Sequence, residues 1–326
     1  MGRFCVAAAC ALLLLVAGCA ANPPASEETP PAPVPARPAD VHANELGSIP
    51  VLMYHRLVAH PASVYDRTPE DFRAELERLA REGYVPITTA ELAAGRIDIP
   101  AGAHPVVLTF DDGDPSTITL GPDGTPAPGS AVRILLDVAA ANPGFRPVAS
   151  MYVNAAPFGG GEAGNRALRW LHDNGFEIGN HTFGHTNLRA ASATKAQEDI
   201  AKGDAFIRDA APGAVPATLA LPFGAHPRDA NLALHGPGYD YTAALLVGAN
   251  PAPSPFSADF TPNAVPRIRS QGADGKEAQF GSTAWLDKLA ANPASRYTSD
   301  GNPDVISYPT GSKAPADRYA TTAVAY

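Results

Sequence analysis

Apolar residues in this chain fall into short unbroken runs that alternate with stretches of helical period. Pro50–Arg56, Tyr84–Thr88, Val106–Phe110, Val148–Val153, Phe176–Gly179, Thr218–Leu221 and Tyr241–Val247 read as strands, and Val265–Ile268 as a last one. Between them, Phe72, Leu76 and Leu79 recur at helical spacing. Thr68-Pro69-Glu70-Asp71 forms the helix start before them and Gly83 the stop after them. Further helices are expected over Ala90–Ala94, Ala131–Ala141, Ala167–Asn174, Ala193–Asp209 and Gly281–Ala291, and a loop over Gly113–Gly129. Strands apolar along their whole length, each followed by a helix, imply an α/β protein. Its parallel sheet is buried on both faces and closed or wrapped by helices.

Polar chemistry gathers where these strands stop. Val106-Val107-Leu108-Thr109-Phe110 runs into Asp111-Asp112-Gly113, and Phe176-Glu177-Ile178-Gly179 runs into Asn180-His181-Thr182-Phe183-Gly184-His185. An Asp-Asp-Gly alone is an ordinary turn, and a His-x-x-x-His pair alone is an ordinary helix face. Placed together at strand ends they favour a metal hydrolase. One carboxylate and two imidazoles make a three-ligand set that leaves room for water, with the second carboxylate beside that water as a base. The spacing does not say which aspartate takes which part.

Five segments carry a family resemblance over Ile49–Arg269: Pro50-Val51-Leu52-Met53-Tyr54-His55, Thr109-Phe110-Asp111-Asp112-Gly113, Pro147–Asn154, Trp170–Thr182 and Leu221-Pro222-Phe223-Gly224. In order and spacing the chain resembles the polysaccharide deacetylases of the NodB-homology type, carbohydrate esterase family four. The resemblance implies a distorted (β/α) barrel of about seven parallel strands, with its site at the C-terminal strand ends. It assigns Asp112, His181 and His185 as ligands of one divalent metal, Asp111 as general base, and Phe223 as the aromatic whose backbone N–H helps bind the oxyanion. Zinc suits that donor set; cobalt, nickel and iron also fit.

Two positions depart from the family pattern. Ala220 stands where the family has an arginine that orients the catalytic aspartate, and no histidine follows His235 to supply the usual late acid. Arg267, near the last expected strand, is the candidate replacement for the arginine and is expected to touch Asp111. His55 is the candidate acid, with His226 second. Tyr54, Phe183 and Trp170 are candidate cleft aromatics, although such residues are more often core.

The 326 residues carry a formal charge of −9, which argues against a nucleic-acid partner. Residues 1–18 read as a signal peptide, and Val16-Ala17-Gly18-Cys19 resembles a lipobox, so Cys19 is expected to carry lipid and hold the exported protein to the bacterial envelope. Cys5 and Cys10 leave with the signal, so the mature chain has no disulfide. Residues 19–47, rich in Pro and Ala, are expected as a tether, 48–292 as the deacetylase domain, and 293–326 as an extension without clear pattern. The expected partner is an acetylated polysaccharide and the expected state a monomer. A non-catalytic glycan-binding lipoprotein and an O-acetyl xylan-type esterase are the competing readings.

Overall fold

His104–Phe110 is buried at every position, and the other strands assemble around it. The structure, a computed structural model, describes residues 1–2 and 37–326. The signal peptide and Cys19 lie outside the described residues. The barrel strands in chain order are β1 (Val51–Tyr54), β2 (Tyr84–Ile87), β3 (His104–Phe110), β4 (Ser150–Val153), β5 (Glu177–Asn180), β6 (Thr218–Ala220), β7 (Ala243–Leu245) and β8 (Ile268–Arg269). Every pairing among them is parallel. Seven follow the order β7-β6-β5-β4-β3-β1-β8, and β2 lies against the first half of β3. A bridge from Leu245 to Val265 brings the two ends of that path together. This is the expected distorted barrel.

Successive side chains of β3 serve two different cores. Val106, Leu108 and Phe110 join the outer cluster with Phe72, Leu76, Leu135 and Leu168. Val107 joins the inner cluster with Val51, Ile87, Tyr152, Ala220 and Leu245. Both faces are therefore apolar, as a parallel sheet covered by helices requires. The alternation also fixes the site, because Thr109 and Asp111 share the inward parity of Val107.

The helices are α1 (Pro69–Arg81), α2 (Thr89–Ala93), α3 (Ala131–Ala141), α4 (Gly161–Asp173), α5 (Ala193–Ala210) and α6 (Ser282–Ala291). Thr68 caps α1 as expected, its hydroxyl accepting from the Asp71 N–H at 3.0 Å. Helix α4 starts six residues before the expected Ala167, because its glycine-rich first turn has no apolar period to read. The last strand is shifted too, to Ile268–Arg269, leaving Arg267 just ahead of it.

Both boundaries drawn from composition need correction. Residues 37–47, expected as tether, belong to the fold: Ala43 and Glu45 are buried. A Cβ on Gly47 would come within 2.3 Å of the Arg296 backbone. The segment after 292 buries Tyr297, Ser299 and Asp300 and pairs Ile306–Tyr308 with Ala323–Ala325. The two ends are held by Glu45, whose carboxylate accepts from the Ser307 N–H at 2.9 Å and the Tyr297 hydroxyl at 3.1 Å. One buried carboxylate leaves no periodic trace, so composition mistook both segments for solvent-facing chain.

Burial pushes the Glu45 carboxyl up to about 7, against the hydrogen bonds that favour its charge. A carboxyl raised on folding holds more protons in the native than in the unfolded state between pH 4.5 and 7. Its contribution is therefore full at low pH and is lost as pH rises through 7. The stability of the native chain relative to Glu45→Gln should fall by roughly 2–4 kcal/mol between pH 4 and pH 8. Parallel pH profiles of the two proteins in urea unfolding would rule this out.

Candidate active site

Asp111 continues the inward parity of β3 past the strand end, and its carboxylate meets Arg267 inside the barrel. The guanidinium Nη1 and Nη2 donate to Oδ1 and Oδ2, both at 2.7 Å. Nε donates to the Leu246 carbonyl at 2.7 Å and Nη1 also to Thr109 Oγ1 at 3.2 Å. The guanidinium carbon lies 5.9 Å from the centre of the Tyr152 ring, within reach of a cation–π contact. Arg267 is fully buried and Asp111 is 1% exposed. Burial alone would raise the Asp111 pKa, but the Arg267 charge and the nearby His181 and His55 hold it well below the usual carboxylate range. Asp111 is thus a fixed anion, and the contact anticipated with Arg267 is present. Ala220, where the family has its arginine, lies in the same inner cluster.

Asp112 turns away because its backbone is left-handed, with φ +69°. Its Oδ1 lies 3.4 Å from His181 Nε2 and 3.4 Å from His185 Nε2. One donor atom from each of the three residues fits within a span of 4.8 Å. Two ligands at about 2.0–2.1 Å from a tetrahedral ion are about 3.3–3.4 Å apart, so these separations suit a shared cation. His181 Nδ1 donates to the Ala220 carbonyl at 2.8 Å, which fixes the tautomer and leaves Nε2 as the free donor. His181 is buried and His185 half-buried, which leaves one side of the set open to the cleft. The residues fit the metal that the sequence implies.

Backbone strain gathers here. Asp112, Thr182, His185 and Phe223 all have positive φ, four of the seven such non-glycine residues among those described. For Thr182, β-branched, this is costly. The ligand loop is held by residues that sequence reasoning missed. Asn180 Oδ1 accepts from the Thr182 N–H at 2.8 Å, while its Nδ2 donates to the Ile200 carbonyl and the Tyr241 hydroxyl. Asp199 accepts from the Gly184 N–H at 3.1 Å. One signal was available: Gly203 sits inside α5, where glycine is unfavourable. A Cβ there would come within 2.4 Å of Asn180.

The other expected site residues divide. His55 Nε2 is 4.0 Å from Asp111 Oδ2, and burial pushes its pKa down despite the two aspartates. The Phe223 ring, 63% exposed, lies 4.7 Å from the His185 ring. His226 makes no hydrogen bond or ion pair with Asp111 or Asp112 among the described residues. Tyr54 is core, its hydroxyl donating to Glu75 at 2.7 Å. Phe183 packs on Phe206 beneath Lys202, and Trp170 packs on Phe176, so none of the three lines the cleft. A cleft of about 330 Å³ opens beside Asp112, walled by His55, Arg56, Ser63, Tyr65, Asp66 and Asp114.

Arg267→Ala would leave a buried carboxylate without its partner, which costs about 3–5 kcal/mol. Urea unfolding should register that loss. Adding Asp111→Leu should recover a large part of it, because the orphaned charge is then gone. Additive effects of the two changes would refute this account of the pair.

Residues 148–242 match the sequence profile of the family described as polysaccharide deacetylase. Among curated proteins none matches this chain in sequence. The fold is similar to that of a polysaccharide deacetylase from Bacillus cereus, at 21% identity and TM-score 0.53, covering 68% of this chain and 64% of that one. The present chain therefore spans less than two thirds of that protein. It is similar also to the Streptococcus pyogenes deacetylase PplD, solved in complex with acetate, at 20% identity and TM-score 0.52, covering 68% of this chain and 92% of that one. IcaB from Ammonifex degensii matches at 20% identity and TM-score 0.50, covering 75% of this chain and 96% of that one. Residues 148–242 thus carry the polysaccharide-deacetylase profile, and the barrel around them is similar in fold to deacetylases of solved structure.

Proposed function

We propose that the protein removes N-acetyl groups from an extracytoplasmic polysaccharide with the help of one divalent metal ion, zinc suiting the donor set best. The observation that carries this reading is the division of labour between adjacent aspartates: Asp112 converges with His181 and His185, while Asp111 is held as an anion by Arg267. A binding protein has no use for the second arrangement. The missing arginine at position 220 and the missing late histidine favour a binding protein, and the contact of Arg267 with Asp111 answers the first of the two.

Deacetylation breaks the amide C–N bond, adds hydroxide to the acyl carbon and delivers a proton to the leaving nitrogen. A bound metal lowers the pKa of water and polarises the acetyl carbonyl. Asp111 takes the proton from the attacking water, its orientation set by the two-pronged contact with Arg267. The Phe223 backbone N–H donates to the oxygen on which negative charge develops. His55, neutral at the outset, lies 4.0 Å from Asp111 and passes the proton on to the leaving amine. Acetate and a free amino sugar are the products.

The substrate is peptidoglycan or an N-acetylglucosamine exopolysaccharide. The protein would act as a monomer held to the envelope by lipid on Cys19. The apolar run Val6–Val16 before Val16-Ala17-Gly18-Cys19 supports that placement.

Acetate release from N-acetylated glycans is the direct test. Asp111→Asn should lower turnover by roughly 10²-fold or more while keeping one equivalent of zinc, whereas His181→Ala should lose the metal. Parent-like turnover in Asp111→Asn would remove the base assignment. Metabolic labelling with a lipid precursor should mark the native chain and not Cys19→Ala; label persisting in the variant would exclude that site.

A further inference from the structure

Ile200, Asp204 and Arg208 recur every four residues along one side of α5, and that side meets Asn180, the residue just before His181. Asp204 is 1% exposed, and the reaction described above makes no use of it. Its Oδ1 accepts from Arg208 Nε, one turn on, and its Oδ2 accepts from the Tyr241 hydroxyl at 3.1 Å. Tyr241, just ahead of β7, is buried and stacked on Tyr239, with ring centres 5.4 Å apart. Its oxygen accepts from Asn180 Nδ2 at 2.7 Å. Nδ2 gives its other hydrogen to the Ile200 carbonyl at 2.8 Å, and Asn180 Oδ1 accepts from the Thr182 N–H at 2.8 Å. Thr182 follows His181 directly and has φ +60°. An unbroken chain of hydrogen bonds thus runs from the exposed Arg208 to the backbone between the two imidazoles.

The direction of each bond in this chain is set from its two ends. A backbone N–H only donates, so Asn180 must present Oδ1 to Thr182. Nδ2 then points the other way and requires acceptors. The Ile200 carbonyl is one. A phenol has a single hydrogen, so the Tyr241 oxygen faces Asn180 as an acceptor only while that hydrogen is given elsewhere. Asp204, a carboxylate paired with Arg208, takes it. Were Asp204 unable to accept, Tyr241 would turn its hydrogen toward Nδ2, donor against donor, behind a Thr182 whose left-handed backbone is already costly. Buried polar chains stiffen what they touch when every member is satisfied, and none of Asn180, Tyr241 and Asp204 leaves a buried polar atom without a partner. We propose that Asp204 and Tyr241 are positioning residues for the metal site, acting through Asn180 to hold the His181–His185 loop in its ligating shape.

This inference rests on the proposed metal site, and zinc affinity separates the two. Zinc binding to the whole chain is measured by competition with a chromophoric chelator, with no glycan present. The native protein should bind one equivalent. Tyr241→Phe keeps the ring and its stacking but removes the hydroxyl, and should weaken zinc roughly tenfold or more, the scale for partners that orient ligands from behind. Asp204→Asn should weaken it too, by reversing the polarity of the chain. Because the two act through one amide, the double variant should bind no more weakly than the worse single one. Tyr239→Phe is the control. It removes a hydroxyl from the same stacked pair, one that donates to the Leu232 carbonyl instead, and should bind zinc as the native chain does. Native affinity in Tyr241→Phe would overturn the proposal, and so would an equal loss in Tyr239→Phe, the mark of general loosening. Multiplying effects in the double variant would overturn the link from Asp204 to Tyr241. Should Asp204→Asn fail to fold, the two tyrosine variants decide the matter. A native chain that binds no zinc would overturn the metal reading and the positioning role with it.

Discussion

A guanidinium and a carboxylate, both withdrawn from water inside the barrel, set the terms for the rest of this structure. Taking either ion out of water costs several kcal/mol, and only good geometry offsets that cost. Here the geometry is two parallel hydrogen bonds of 2.7 Å, with Thr109 and the Leu246 carbonyl taking two of the three other guanidinium hydrogens. That arrangement exists only if the chain closes. Arg267 reaches Asp111 because β8 pairs with β1, which pairs with β3, and because Val265 bridges back to Leu245 beside β7. The contact that holds the base anionic is thus also a contact that fixes the far end of the sheet to its centre.

The neighbouring residue depends on the same strand end for the opposite purpose. Asp111 follows the pleat inward; Asp112 leaves it through a left-handed turn and meets two imidazoles from the end of β5. Those imidazoles arrive on a loop whose Thr182 and His185 also have positive φ. Such conformations persist only when the surroundings over-determine them. Asn180 and Asp199 do so here with hydrogen bonds to the loop backbone, and Gly203 leaves the space that Asn180 occupies. Strain at the ligands is balanced by a satisfied polar network immediately behind them.

How much of this was legible in the sequence follows from the kind of interaction involved. Strands buried on both faces and helices with a capped start leave periodic or local traces, so seven of the barrel strands and the cap at Thr68 were read nearly in place. The contact of Arg267 with Asp111 was legible for a different reason: an orphaned aspartate requires a partner, and few arginines lie at a strand end. The roles of Asn180, Asp199 and Glu45 were not legible. Asn180 and Asp199 hold the loop backbone at Thr182 and Gly184, and Glu45 holds Tyr297 and Ser307 far along the chain; apart from Gly203, nothing in spacing or composition marks such residues.

The alanine at position 220, a departure from the family pattern when read alone, makes sense beside Arg267. The inner cluster around Tyr152, Val107 and Leu245 is packed, and a second guanidinium from β6 would enter the space near the first. Two cations beside one carboxylate would repel, and the surplus charge would be buried without a partner. A small residue at 220 therefore accompanies an arginine at 267. Its backbone carbonyl accepts from His181 Nδ1, at 2.8 Å. Position 220 thus serves the metal side of the site through its backbone, while position 267 serves the base through its side chain. The two tasks are carried on separate strands, β6 and the approach to β8, so the sheet curvature that brings those strands together also sets the distance between ligand and base.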